Sequence, residues 1–112
     1  MPAQAAIAFF LQDCPAEDAA AAAARLTPQG EGGRAVTTPA TALRYGRIPR
    51  LYVEALHDRS VILPVQRAMQ ARAPGALIVS LPTGHAPQFS APAALAKAVI
   101  PFLASREHDG IR

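Results

Sequence analysis

The chain reads as an α/β protein, a parallel βαβα unit behind a helical segment. Three observations predict this. Strand-like and helix-like stretches alternate from residue 46 onward. The run Ala76–Leu81 is apolar apart from Ser80, as expected of a strand whose two faces are covered by helices. Pro and Gly punctuate each change of type.

The elements follow in order. Residues 1–45 begin with an apolar stretch, Ala5–Leu11. The segment QDCPAEDAAAAAARL then carries the marks of a helix. Pro15 suits its first position, Glu17 and Asp18 complement the positive end of the helix dipole, and Arg25 complements the other end. Thr27-Pro28 stops it, and QGEGGRAVTTPAT has the composition of a loop.

Residues 46–112 form the alternating part. Arg50–Leu56 is a short strand after Pro49, and Pro64–Ala73 is a helix halted before Pro74-Gly75. Ala76–Leu81 is the second strand. Ala91–Ser105 is a helix with Leu95, Val99, Phe102 and Leu103 along one face and Pro101 late in its course. The polar tail, Arg106–Arg112, is expected to fray. A strand–helix–strand unit implies parallel strands and a right-handed crossover. Two such strands are too few for a sheet that stands alone.

Composition excludes several classes. With 51% hydrophobic and 17% charged residues the chain is globular rather than disordered. Aromatic residues are only 5%, and the unbroken run Ala19–Ala24 adds little apolar area per residue, so the core is light. The net charge is +3, but the basic residues are scattered. Arg44, Arg47 and Arg50, with Tyr45, are the densest group, too short for a nucleic-acid stripe. The single cysteine, Cys14, excludes an internal disulfide. It lies at a helix N-terminus, which can lower a thiol pKa, but a helix-cap or buried role is the favoured reading. No secretory leader and no apolar run near the ~18 to 20 residues of a membrane span is visible. A cytoplasmic protein with no membrane and no nucleic-acid partner is expected, and neither cofactor nor metal.

The chemistry-bearing residues lie beyond the strand ends, where open α/β sheets collect function. His57 and Asp58 follow the first strand, and His85, in SLPTGHAPQFSAP, follows the second. Separately, Asp58 reads as a turn or capping residue and His85 as a loop residue after Gly84. Together, on parallel strands, they emerge at one edge. A carboxylate there can fix the imidazole tautomer and stabilise the imidazolium formed in general-base catalysis. His57 reads as a strand-end residue and His108 as a tail residue. His57, Asp58 and His85 lack a recognised metal-ligand spacing.

At these residues the sequence resembles the C-terminal part of α/β-hydrolase-fold esterases, in the branch of plant methylesterases, hydroxynitrile lyases and bacterial relatives. RIPRLYVEALHDRSVILPVQRAMQ and LPTGHAPQFSAPAALAKAV resemble that branch at Arg50, Tyr52, Val53, Asp58, Arg59, Gln66, Arg67, Gly84, His85, Ser90 and Pro92. FFLQDCPAEDAAAAAARLTPQ resembles the end of its cap. The resemblance implies residues 1–45 as the end of the cap and linker, and 46–112 as the C-terminal βαβα part of the core. It also implies catalytic Asp58 and His85, and a small carboxylic ester as substrate. The family's nucleophile sits in a G-x-S-x-G elbow upstream of the acid. None of Ser60, Ser80, Ser90 and Ser105 lies in such an elbow, so the chain by itself is expected to be inactive. Lyase chemistry on the same triad is a further possibility within the branch. The alternative from another class is a non-catalytic module that dimerises, or binds a partner, through an exposed sheet edge.

Overall fold

The computed structural model describes residues 1–39 and 41–109. In chain order these form helices α1 (Ala3–Phe10), α2 (Ala16–Ala24) and α3 (Glu31–Arg34), then a 3-10 turn at Tyr45–Arg47. Strand β1 (Leu51–Ala55), helix α4 (Leu63–Arg72) and strand β2 (Leu77–Leu81) follow, with helices α5 (Pro87–Ser90) and α6 (Pro92–Asp109) last.

The two strands pair in parallel, from Leu51 opposite Leu77 to Ala55 opposite Leu81, with α4 in the connection. This is the expected βαβα order. Sequence reading missed that the apolar opening stretch is a helix, and that short helical turns interrupt the 29–41 loop and precede the last helix. Pro15 sits one position earlier than expected, at the N-cap of α2. Pro101 is accommodated within α6, which continues through Asp109 where fraying was expected. The rest of the tail, 110–112, lies outside the described residues.

Apolar alternation alone does not account for the sheet, because Glu54, the fourth residue of β1, is 3% exposed. It is held in a network. Arg67 Nε of α4 donates to it over 3.0 Å, and Ser80 Oγ, opposite it on β2, donates over 2.9 Å. Arg67 first, and Ser80 second, hold the Glu54 carboxyl below the usual carboxylate range. Gln66, one residue away and also buried, serves the backbone. Its amide donates to the carbonyls of Ala55 (2.9 Å) and Val61 (2.7 Å), and its oxygen accepts from Ala55 N–H (3.0 Å). The even-numbered residues flanking β1 bond β2, at Arg50 O and Leu56 N, so by alternation Ala55 points its polar groups away from the partner strand. Gln66 therefore closes the outer edge of β1 much as a neighbouring strand residue would.

The apolar core lies off the sheet. Ala6, Leu11, Ala19, Ala23 and Ala86 are its buried members, flanked by Ile7, Phe10, Cys14 and Ala22. Alanines let α1 and α2 approach closely but bury little area each, and no large side chain is fully buried among the described residues. The molecule is correspondingly open. Its radius of gyration is 16.3 Å, against about 13 Å for a compact domain of this length. It exposes 8500 Å², whereas a self-contained monomer of this mass exposes about 5,900 Å².

Candidate active site

The loops after β1 and β2 are tied together beyond the sheet. Leu56 N–H donates to Leu81 O (3.0 Å) and His57 N–H to Thr83 O (2.9 Å), so both strand ends deliver their next residues to one place. Asp58 turns back there, and its Oδ1 accepts the N–H groups of Ser60 (2.7 Å) and Val61 (2.9 Å). This is an Asx turn, and it holds the carboxylate in one orientation. The other oxygen, Oδ2, lies 2.9 Å from Nδ1 of His85. The turn role and the contact with histidine coexist because a carboxylate has two oxygens to give.

The Asp58 side chain is buried (6% exposed) and that of His85 is half-open (35%). A carboxylate can only accept, so Nδ1 of the neutral ring carries the proton and Nε2 is left as the free base. Against the ring of His85 stands that of Phe10 from α1, with centroids 4.9 Å apart. His85 and Phe10 share the wall of a cavity of about 460 Å³ with Leu11, Leu26, Phe89 and the Arg25 side chain. The wall is mostly apolar with few polar groups, the make-up of a small-molecule site.

The other sequence candidates fall elsewhere. The His57 side chain is exposed, and its contribution is its carbonyl, which accepts from Gln12. His108 falls on the last turn of α6, where side chains lie outside the described part. Among the described residues no group of three His, Cys, Asp or Glu is placed to hold a metal. Cys14 follows the buried reading rather than that of a lowered thiol. Burial pushes its thiol up, and the negative charges of Asp13 and Asp18 add to this. It packs against the alanine core. Burial also raises Tyr52, with Glu54 and Asp58 contributing.

Three serine hydroxyls are engaged away from His85. Ser80 donates to Glu54, Ser90 to Ala86 O and Ser105 to Phe102 O. Sequence reasoning missed Phe10, Gln12 and Asp13 as neighbours of the site. Their signal was the match of FFLQDC to a cap segment, which says nothing about contact with the strand-end loops.

No protein-family profile matches the chain. A curated relative, a pyrethroid hydrolase of Sphingobium wenxiniae, is 52% identical over 56 residues, which are 49% of this chain and 20% of that protein. The crystal structure of a pyrethroid hydrolase from Sphingobium faniae superposes with a TM-score of 0.71 at 34% identity, over 90% of this chain and 40% of its own. Polyneuridine aldehyde esterase superposes with a TM-score of 0.76 over 90% of this chain and 41% of its own; at 23% identity that likeness is one of fold. The chain thus spans a fifth of the curated relative and about two fifths of the solved ones. No helix among the described residues is long and apolar enough to cross a membrane. By sequence and by backbone, the chain is similar to part of the α/β-hydrolase-fold esterases and carries a part of that fold.

Proposed function

We propose that Asp58 and His85 are the acid and base of a serine esterase site for small carboxylic esters. The observation that carries this is the 2.9 Å contact between Asp58 Oδ2 and His85 Nδ1 beside a largely apolar cavity. Asp58 fixes the tautomer, and His85 Nε2 takes the proton of a serine hydroxyl as it attacks the ester carbonyl. The imidazolium that results is stabilised by Asp58 and then protonates the leaving alcohol. The nucleophile comes from outside these 112 residues. The chain's own four serines lack the G-x-S-x-G setting, and three of their hydroxyls are engaged elsewhere. In this reading residues 1–45 are the end of a cap and 46–112 the last part of the core. The names of the relatives support ester hydrolysis and do not narrow the acyl or alcohol group.

A graft tests the reading. This chain replaces the matching two fifths of the Sphingobium faniae pyrethroid hydrolase, and the hybrid is assayed on a p-nitrophenyl ester. Turnover that vanishes in His85→Ala and Asp58→Ala is the expected result. A folded, active hybrid that is indifferent to His85→Ala refutes it.

A further inference from the structure

We propose that Gln12 and Asp13 form a two-residue brace that positions the Asp58–His85 pair; this rests on the reading of that pair as acid and base. The brace begins where α1 stops. Leu11 N–H bonds back to Ile7 O and Cys14 N–H to Leu11 O, so residues 11–14 form a tight turn. The turn delivers two consecutive side chains to two different loops. Gln12 Nε2 donates to the carbonyl of His57 (2.9 Å), the residue before Asp58. Asp13 Oδ2 accepts the N–H of Gly84, the residue before His85. Each tie is thus made to the chain neighbour of one member of the pair, 45 and 71 residues away in sequence.

Other contacts make the same segment the back wall of the pair. The Phe10 ring lies against His85, and Arg59 Nη1 reaches Ala8 O at 3.4 Å. Gly84 shows how closely the brace is seated. A Cβ at that position would collide with the Gln12 amide and the Asp13 carboxylate. Among the described residues only Gly75 has positive φ, so what a side chain at position 84 would disturb is this approach, by displacing the Gln12 and Asp13 side chains, and not the backbone angles. A charged acceptor on a backbone N–H is among the stronger hydrogen bonds. Without it, the loop carrying His85 loses the hydrogen bond nearest the imidazole and keeps its tie through Thr83 and the packing of Ala86 and of the Phe10 ring, so the imidazole is held less firmly at Oδ2.

The readout is the tautomer of His85, which a merely structural role would leave unchanged. Ring-15N-labelled full-length chain is measured at about pH 8.5, where imidazole is neutral. Spectra are taken in solution or on sedimented protein, and His85 is assigned through His57→Gln and His108→Gln. The wild type should show a single Nδ1–H tautomer. Asp13→Ala should lose it to a tautomer mixture, Gln12→Ala should lose it in part, and Asp13→Asn, which keeps an acceptor oxygen, should restore it. An unchanged Nδ1–H tautomer in folded Asp13→Ala overturns the brace. If that variant does not fold, an unchanged tautomer in Gln12→Ala overturns it instead. Asp58→Ala separates the two claims: its failure to disturb the tautomer sinks the acid–base pair itself, whereas the brace fails alone if only Asp58→Ala disturbs it.

Discussion

Asp58 and His85, 27 residues apart in sequence, meet at 2.9 Å because β1 and β2 run parallel and end level, with Ala55 opposite Leu81. One oxygen of Asp58 closes its own turn and the other reaches the imidazole. The turn and the contact are therefore separable by substitution.

Asp58→Asn should retain the turn, because an amide oxygen can replace Oδ1, while its NH2 cannot accept from Nδ1–H of His85. The folded chain should keep its melting temperature within a few degrees but lose the Nδ1–H tautomer. In the grafted enzyme the loss of turnover should be on the order of 10⁴-fold, the cost of the wrong tautomer in a serine triad. Asp58→Ala should in addition lower stability, since Ser60 and Val61 lose their acceptor. Equal melting temperatures for the two variants would show that the turn contributes nothing.

Gln66→Leu should destabilise the fold on the order of 3 kcal/mol, because it leaves the N–H of Ala55 and the C=O of Val61 without partners and the C=O of Ala55 with only the N–H of Asp58; each such orphaned group costs about 1 to 3 kcal/mol. Gln88→Leu, at an exposed position, is the control and should be near neutral. Urea denaturation followed by circular dichroism decides, and equal shifts for the two variants would remove Gln66 from its role at the strand edge.

Asp58 and His85 could be read because position after consecutive parallel strands is a property of chain order. The alternation of Pro-bounded apolar runs likewise marked both strands. Gln66 and Glu54 could not be read as buried, since periodicity scores a polar residue as solvent-facing, and only the partner across the sheet or on α4 reverses that. Ala5–Leu11 carried no strong helical signal, because an all-apolar stretch has no polar face to set its period. The brace was beyond reach for another reason: it joins residues 12 and 13 to loops 45 and 71 residues away.

Glu54 carries a pH dependence whose sign follows from its lowered pKa. Its ion pair and hydrogen bond contribute stability in full above the unfolded carboxylate value of about 4.3. That stability is lost as pH falls through the lower, folded value. Melting temperature should therefore drop steeply on acidification below about pH 4.3. Glu54→Gln should start lower at pH 7 and lose part of this slope. Parallel profiles for wild type and variant would assign the acid sensitivity to other carboxylates.

The 112-residue chain alone should hydrolyse p-nitrophenyl acetate no faster than buffer does. His85 can assist water, but it has no serine hydroxyl to activate, and the donors of an oxyanion hole, worth about 3 to 4 kcal/mol of transition-state stabilisation, would come from elsewhere in the fold. Turnover well above background that disappears in His85→Ala would point instead to a nucleophile among Ser60, Ser80, Ser90 and Ser105.

Surface area sets the last expectation. The chain exposes about 2,600 Å² more than a self-contained monomer of its mass. Part of that excess is apolar and adjoins the sheet: Leu77 is 58% and Ile78 48% exposed on β2, and Ile100 is 62% exposed on α6. A two-stranded sheet has two free edges, and Gln66 closes only one position on one of them. Open edges beside apolar side chains template pairing with another strand. Expressed alone, the chain should therefore self-associate, eluting in size-exclusion chromatography well ahead of an 11.7 kDa monomer. Ile78→Lys places a charge at the exposed strand and should shift the distribution toward monomer. A wild-type chain that elutes as a monomer would contradict the argument from area, and would favour a stand-alone module over a part of a larger fold.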